Sequence, residues 1–232
     1  MAGLTPMIVL RNLVFYLVFY PASAFFVLSA AAAAVVSPRH VRMFPDTWAR
    51  VHRWCVRVLL GIEVRETGTR LPGPVLYAFK HESFFEAIDL PVTLDHPVPF
   101  GKEELHRIPG WGRAFKAYGA VTVSRTQGAK ALRTMLAEAR GFVDSGRPLV
   151  IFPEGTRVPH GARPPLQAGF AGLYKLLGLP VVPVAVNSGP LYQRGWKRPG
   201  TITLHFGAPI ESGLPREEIE ARVHAAINVL NS

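Results

Sequence analysis

From Leu13 to Val36 the chain runs 24 residues without a charged side chain, and no other feature restricts its fold as strongly. As one helix this stretch would be roughly 36 Å long, against a hydrocarbon core of about 30 Å. Pro21 lies inside it, so a kinked helix and a pair of short interfacial helices are equally admissible. Arg11 stands before the stretch, and Arg39, His40 and Arg42 follow it. If it crosses once, the positive-inside bias places the C-terminal body on the cytoplasmic side of a cell inner membrane. Two other readings stay open. One is a cleaved secretory signal, with Ala30 to Ala34 supplying the small residues of a cleavage site. The other is a helix buried in a core. Next comes Asp46 to Leu60, where Trp48, Val51, Cys55, Val58 and Leu59 recur at near-helical spacing among Arg50, Arg53 and Arg57. That pattern reads equally as an interfacial basic helix and as a helix packed on the domain with a solvated arginine face.

The formal charge of +10 calls for an anionic partner: nucleic acid, an acidic membrane surface or a phosphorylated ligand. The apolar stretch argues against nucleic acid. Cys55 is the single cysteine, which excludes an intrachain disulfide. At 232 residues the chain holds one globular domain with an N-terminal appendage. Residues 1–62 are expected to form membrane-associated helices, and residues 63–232 an α/β domain.

Beyond residue 70, short apolar runs alternate with helical periodicity. Strands are expected at Val75–Phe79, Ala120–Val123, Pro148–Phe152, Val181–Val186 and Thr201–Phe206. Helices are expected at Phe84–Leu94, from about Ala129 to Val143, near Gly169–Leu177 and at Arg216–Leu230. The fold class is therefore α/β, a single domain whose largely parallel or mixed sheet is flanked by helices.

Two runs carry chemistry. In Lys80-His81-Glu82-Ser83-Phe84-Phe85-Glu86, an imidazole precedes a carboxylate by five residues. Inside one helix the two would stand about 140° apart. They meet if His81 lies on the turn after the strand and Glu86 lies in the first part of the helix. The carboxylate then orients one ring nitrogen and leaves the other to take a proton. By spacing alone, an ordinary surface pair fits as well. The second run is Phe152-Pro153-Glu154-Gly155-Thr156-Arg157, at a strand end. Glycine there lets backbone amides approach an anion, and Arg157 is suited to phosphate. A plain turn with an exposed arginine is the alternative. A zincin histidine pair, a Gly-x-Ser-x-Gly elbow, a P-loop and a dinucleotide fingerprint are all missing, so neither metal nor nucleotide chemistry is indicated.

Taken in order, these runs resemble the glycerolipid acyltransferase family, most closely its 1-acylglycerol-3-phosphate O-acyltransferase branch. The resemblance covers roughly residues 70–210. It includes Lys102-Glu103-Glu104-Leu105 with Pro109 and Gly112, Val123-Ser124-Arg125, and Val181-Val182-Pro183-Val184. It implies that His81 is a general base oriented by Glu86. It also implies that Lys102, Arg125 and Arg157 handle a phosphate in a pocket shaped by Glu154, Gly155 and Thr156, with Pro183 on the acyl-donor side. The reaction so implied moves an acyl chain from acyl-CoA or acyl carrier protein to the sn-2 hydroxyl of lysophosphatidic acid, among membrane lipids, with no cofactor or metal. Alternatives are O-acylation of another lyso-lipid, such as a lyso-ornithine lipid, and a non-catalytic basic lipid-binding module. Two departures from the family pattern stand out. Glu86 occupies a position where aspartate is usual, and Leu166-Gln167-Ala168-Gly169 lacks a lysine common after the arginine turn.

Overall fold

The computed structural model describes residues 5–104, 111–123 and 128–231. Helix α1 (Pro6–Val36) begins where Thr5 Oγ1 accepts from Ile8 N and proline takes the first helical position. It continues through Pro21 as a single helix of 31 residues, which settles the choice between one helix and two. Its length is about 46 Å. One face carries Asn12, Phe15, Phe19 and Ala30, all buried in the domain. Roughly opposite on the helix, Leu10, Leu13, Leu17, Tyr20, Leu28 and Val35 are exposed. The helix is thus neither a free span nor a buried core helix. It is apolar all round, packed by one side and presenting the other.

That packing is specific. Asn12 Nδ2 donates to the carbonyl of Lys197, and Lys197 N donates back to Asn12 Oδ1, both at 2.8 Å and both buried. Removing this segment, as the signal-sequence reading requires, would open the core. A short 3₁₀ turn at Pro38–His40 leads to α2 (Met43–Val58). Ala49, His52, Cys55 and Val56 of α2 face inward. Arg50, Trp54, Arg57 and Val58 lie outside, which corrects the placement of Val58 on the apolar stripe.

Among the described residues, seven strands follow: β1 (Ile62–Gly68), β2 (Leu76–Phe79), β3 (Val98–Lys102), β4 (Val121–Val123), β5 (Leu149–Ile151), β6 (Val181–Val186) and β7 (Gly200–Phe206). Their order in the sheet is β1-β7-β6-β2-β5-β3-β4. Strands β6, β2, β5, β3 and β4 run parallel. β7 is antiparallel to β6, and β1 is parallel to β7, so the sheet is mixed. The remaining helices are α3 (Phe85–Thr93), α4 (Trp111–Tyr118), α5 (Gly128–Val143), α6 (Gly169–Leu177) and α7 (Arg216–Ile227).

Alternation along β2 divides the core in two. Tyr77 and Phe79 join Phe15, Phe19, Cys55 and Phe85 in the cluster beneath the N-terminal helices. Leu76 and Ala78 join Phe170, Tyr174, Ile219 and Ile227 on the other face, under α5, α6 and α7. The N-terminal helices therefore share a core with the sheet. Strands β1 and β3 and helix α4 were missed from sequence for physical reasons. β1 is an edge strand buried only at Ile62. β3 carries Pro99 and Gly101, residues that read as strand breakers. Helix α4 follows Pro109 and Gly110, which read as a turn.

Within the N-terminal cluster lies wholly buried His52, whose Nε2 is 2.8 Å from the Tyr192 hydroxyl. Burial, helped by the nearby charges of Arg53 and Lys197, pulls its pKa down to about 3 from an ordinary 6.5. The native ring is therefore neutral, while the unfolded chain takes up a proton below pH ~6.5. Stability must fall as pH drops through that value, and the loss levels off near pH 3. His52→Gln, which keeps a polar partner for Tyr192, should show a clearly shallower loss of unfolding midpoint between pH 7 and 4. Chemical denaturation in detergent measures this, and equal slopes for the two proteins would refute it.

Candidate active site

The three adjacent parallel strands at the centre of the sheet, β6, β2 and β5, end at one edge, and each delivers part of the site. β2 leads into Lys80 and His81. β5 leads into the turn at 153–157, and β6 into Ser188. Convergence of strand C-termini is where α/β folds gather ligand sites.

His81 sits on the turn after β2, and Glu86 lies in the first turn of α3. Their side chains meet: Nδ1 of His81 is 3.1 Å from Glu86 Oε1. An ionised carboxylate only accepts, so Nδ1 carries the hydrogen and Nε2 is left with its lone pair. The Glu86 carboxylate is fully enclosed. Its Oε1 also accepts from the backbone N–H of Glu82, and from that of Ser83 at 2.7 Å. Oε2 accepts from Ser188 Oγ at 2.7 Å, with Ser83 Oγ at 3.0 Å. Burial alone would raise the pKa of Glu86. The bonds from His81, Ser188 and Ser83 outweigh it and hold the carboxyl below its usual range. The His81 ring stacks on Phe152, centroids 4.1 Å apart, and keeps 16% of its side chain exposed.

The second run encloses the same residue. Gly155 closes the turn after β5, its N–H donating to Phe152 O at 2.9 Å with φ of +67°, a conformation that favours glycine. Glu154 turns inward rather than toward solvent. One of its oxygens accepts from Lys80 Nζ at 2.7 Å, and the other from His81 N at 3.1 Å. Past the turn, Val158 N donates to His81 O at 2.7 Å. Lys80, itself fully buried, also donates to Ala162 O and to Asn228 Oδ1 of the C-terminal segment.

Thr156 and Arg157 are exposed. The Arg157 guanidinium lies 3.8 Å from the Phe84 ring centroid. It lines a cleft of about 520 Å³ together with Glu82, Ser83, His160, Gln193 and Arg194. His81 itself does not line the cleft, but the two residues that follow it, Glu82 and Ser83, do.

The structure thus gathers His81, Glu86, Glu154, Gly155 and Arg157 around one edge of the sheet. Lys102 is exposed at the end of β3, on the same edge but two strands from β2, and does not line the cleft. Arg125 lies outside the described residues. Pro183 is buried within β6 opposite Ala78, where its carbonyl accepts from Gly207 N. A proline has no N–H to return to β7, and the β6–β7 ladder ends there. Its position is one of sheet geometry, away from the cleft. Sequence reasoning missed Lys80, Ser83, Phe152, Ser188 and the Glu82–His160 pair. Ser188 was findable as a polar residue just past an apolar strand.

The acyltransferase family model matches residues 61–187, which contain both runs. A 1-acyl-sn-glycerol-3-phosphate acyltransferase of Pseudomonas aeruginosa is 33% identical over 85% of this chain and 79% of its own length. One from Helicobacter pylori is 31% identical over 58% of this chain and 57% of its own. In three dimensions, the fold is that of the 1-acyl-sn-glycerophosphate acyltransferase PlsC of Thermotoga maritima. The TM-score is 0.71 at 20% identity, covering 96% of this chain and 97% of that one. With more than half its length matched by the model, and a relative that similar over most of both chains, this chain belongs to the acyltransferase family.

Proposed function

We propose that this membrane-associated acyltransferase esterifies the sn-2 hydroxyl of 1-acylglycerol-3-phosphate, drawing the acyl group from a thioester and releasing phosphatidic acid and a thiol. The observation that carries this reading is the His81–Glu86 contact, made through a buried, four-fold anchored carboxylate beside a cleft with basic walls. Nε2 of His81 takes the hydroxyl proton as the oxygen attacks the thioester carbonyl. Glu86 keeps the ring in that tautomer and stabilises the imidazolium that forms. No acyl-enzyme is needed, because the acceptor oxygen is itself the nucleophile. The Arg157 fork is matched to two phosphate oxygens and holds the far end of the same molecule.

The apolar surroundings suit an amphiphile. An apolar crevice runs between Phe26 and Val27 of α1, Trp48 of α2, and Ile88 and Pro91 of α3, the helix that carries Glu86. The exposed stripe of α1 presents large apolar side chains of the kind that meet lipid rather than water. Arg50, Trp54 and Arg57 on the outer face of α2 provide headgroup contacts. We place the sheet and its cleft on the cytoplasmic side of the inner membrane, in line with the basic residues that follow α1.

Purified protein supplied with lysophosphatidic acid and either acyl-CoA or acyl carrier protein thioester should form phosphatidic acid. Failure with both donors, alongside transfer to a phosphate-free lyso-lipid, would refute the acceptor. His81→Ala should lower kcat by about 10²–10⁴-fold, with KM for either substrate changing little. A variant retaining more than a tenth of wild-type kcat would remove His81 from the base role. Arg157→Ala should instead raise the acceptor KM by about tenfold or more, the size of a lost charged hydrogen bond. A rise confined to the thioester KM would contradict that assignment.

A further inference from the structure

A second imidazole–carboxylate pair faces the cleft, on residues to which the family resemblance assigns no role. Nδ1 of His160 is 2.9 Å from Glu82 Oε1, and the Glu82 side chain is fully enclosed. The other Glu82 oxygen accepts from Gly189 N at 2.8 Å. Gly189 packs closely here: an added Cβ would come to 3.0 Å from Glu82 Oε2 and 3.3 Å from the His160 Cβ. The chain after His160 is fixed as well. Gly161 N donates to Asn231 Oδ1, and Arg163 Nη2 donates to Asn231 O at 2.8 Å. The ring is therefore located from several sides, yet a quarter of its side chain is exposed, and it lines the cleft with Arg157 and Arg194.

A buried carboxylate holding Nδ1 leaves Nε2 for a ligand, as in the His81–Glu86 pair, but a ligand that only accepts, such as a phosphate oxygen, requires a hydrogen on Nε2 as well. The surroundings differ, because this ring stands among guanidinium groups. Glu82 accepts from Gly189 N and pairs with His160 Nδ1, so an imidazolium at 160 offsets the carboxylate charge beside an incoming anion. A phosphomonoester presents three terminal oxygens and up to two negative charges. The Arg157 fork engages two of them. A phosphodiester has only two non-bridging oxygens, so a third donor gains contact with the monoester alone.

We propose that His160 is a specificity residue for the acceptor headgroup: with Glu82 accepting from Nδ1–H, the ring engages the phosphate as an imidazolium whose Nε2–H donates to the third oxygen of a terminal phosphate beside Arg157. This rests on the reading of the acceptor as a lysophosphatidic acid. The test compares 1-oleoyl-lysophosphatidic acid with 1-oleoyl-lysophosphatidylglycerol, whose phosphate is a diester, in wild type, His160→Ala and His160→Gln. His160→Ala should raise the lysophosphatidic acid KM by roughly tenfold to a hundredfold, the range for a hydrogen bond to a charged group. Its kcat should stay within about threefold of wild type, and the thioester KM should not move. The ratio of kcat/KM between the two acceptors should fall by the same factor as the KM rises, and His160→Gln, which retains an N–H donor, should recover part of it. A merely structural role would depress both acceptors alike and leave that ratio unchanged, which would overturn the inference. If His160→Ala does not fold, His160→Gln is read by the same ratio, an unchanged value again being fatal. Wild type that forms no phosphatidic acid but acylates another lyso-lipid sinks the acceptor reading and this inference together. Active wild type with an unaltered ratio in the variants sinks only the inference.

Discussion

The peptide of His81 is held at both ends by a single turn, and the rest of the site depends on this. Its N–H donates to Glu154, and its carbonyl accepts from Val158, so the strand end after β2 and the turn after β5 are joined by two bonds around one residue. With the backbone fixed, the side chain has one remaining choice, made by Glu86 on one edge of the ring and Phe152 against its face. Beneath it the buried Lys80–Glu154 pair couples the two runs again and reaches the C-terminal segment through Asn228. Removing one partner of such a pair costs about 3–5 kcal/mol, because the other charge is left buried alone. The glutamate of the Glu-Gly-Thr-Arg run therefore works on the protein, while Thr156 and Arg157 remain exposed.

The N-terminal helices are tied to this edge by polar contacts as well as apolar ones. Asn12 of α1 exchanges two hydrogen bonds with the backbone of Lys197, and Lys197 Nζ donates to the Tyr16 hydroxyl. Tyr192, from the same β6–β7 connection, bonds His52 of α2 and also lines the cleft. Arg53 of α2 grips Asp89 of α3 through two nitrogens. Buried polar contacts of this kind are satisfied only in one relative position of the elements. The exposed apolar stripe of α1 and the sheet edge that carries His81 are consequently held in fixed relation.

Much of this was legible in the chain. The apolar strands β2, β5 and β6 stood out because they are buried on both sides, and helix α6 because Phe170, Ala171, Leu173 and Tyr174 form one buried face. The meeting of His81 and Glu86 followed from a turn placed before a helix. What escaped was of two kinds. The edge strand β1 carries little periodicity, since only Ile62 is buried, and in β3 the pattern is interrupted by Pro99 and Gly101. Partners brought together from distant positions, such as Ser188 on Glu86 or His160 on Glu82, leave no local signature, because their closeness is created by strand order. Lys102 and Pro183, which the family resemblance singles out, lie away from the cleft that Arg157 lines. A block shared with a family marks a position as constrained without saying whether chemistry or packing constrains it.

The glutamate at position 86 illustrates how geometry absorbs a departure from a family pattern. A carboxylate one methylene longer than aspartate has an additional rotatable bond, and left alone it would hold the imidazole less firmly. In this chain that freedom is removed at both oxygens. Oε1 folds back over the start of α3 to collect the N–H groups of Glu82 and Ser83, a favourable place for an anion at a helix N-terminus. Oε2 is fixed by Ser188, supplied from the end of the neighbouring strand β6. The longer side chain is therefore usable because the hydroxyls of Ser83 and Ser188, 2.8 Å apart, close the space around it. Glutamate at this position and serine at 188 form one unit, and a change at either is a change in how His81 is aimed.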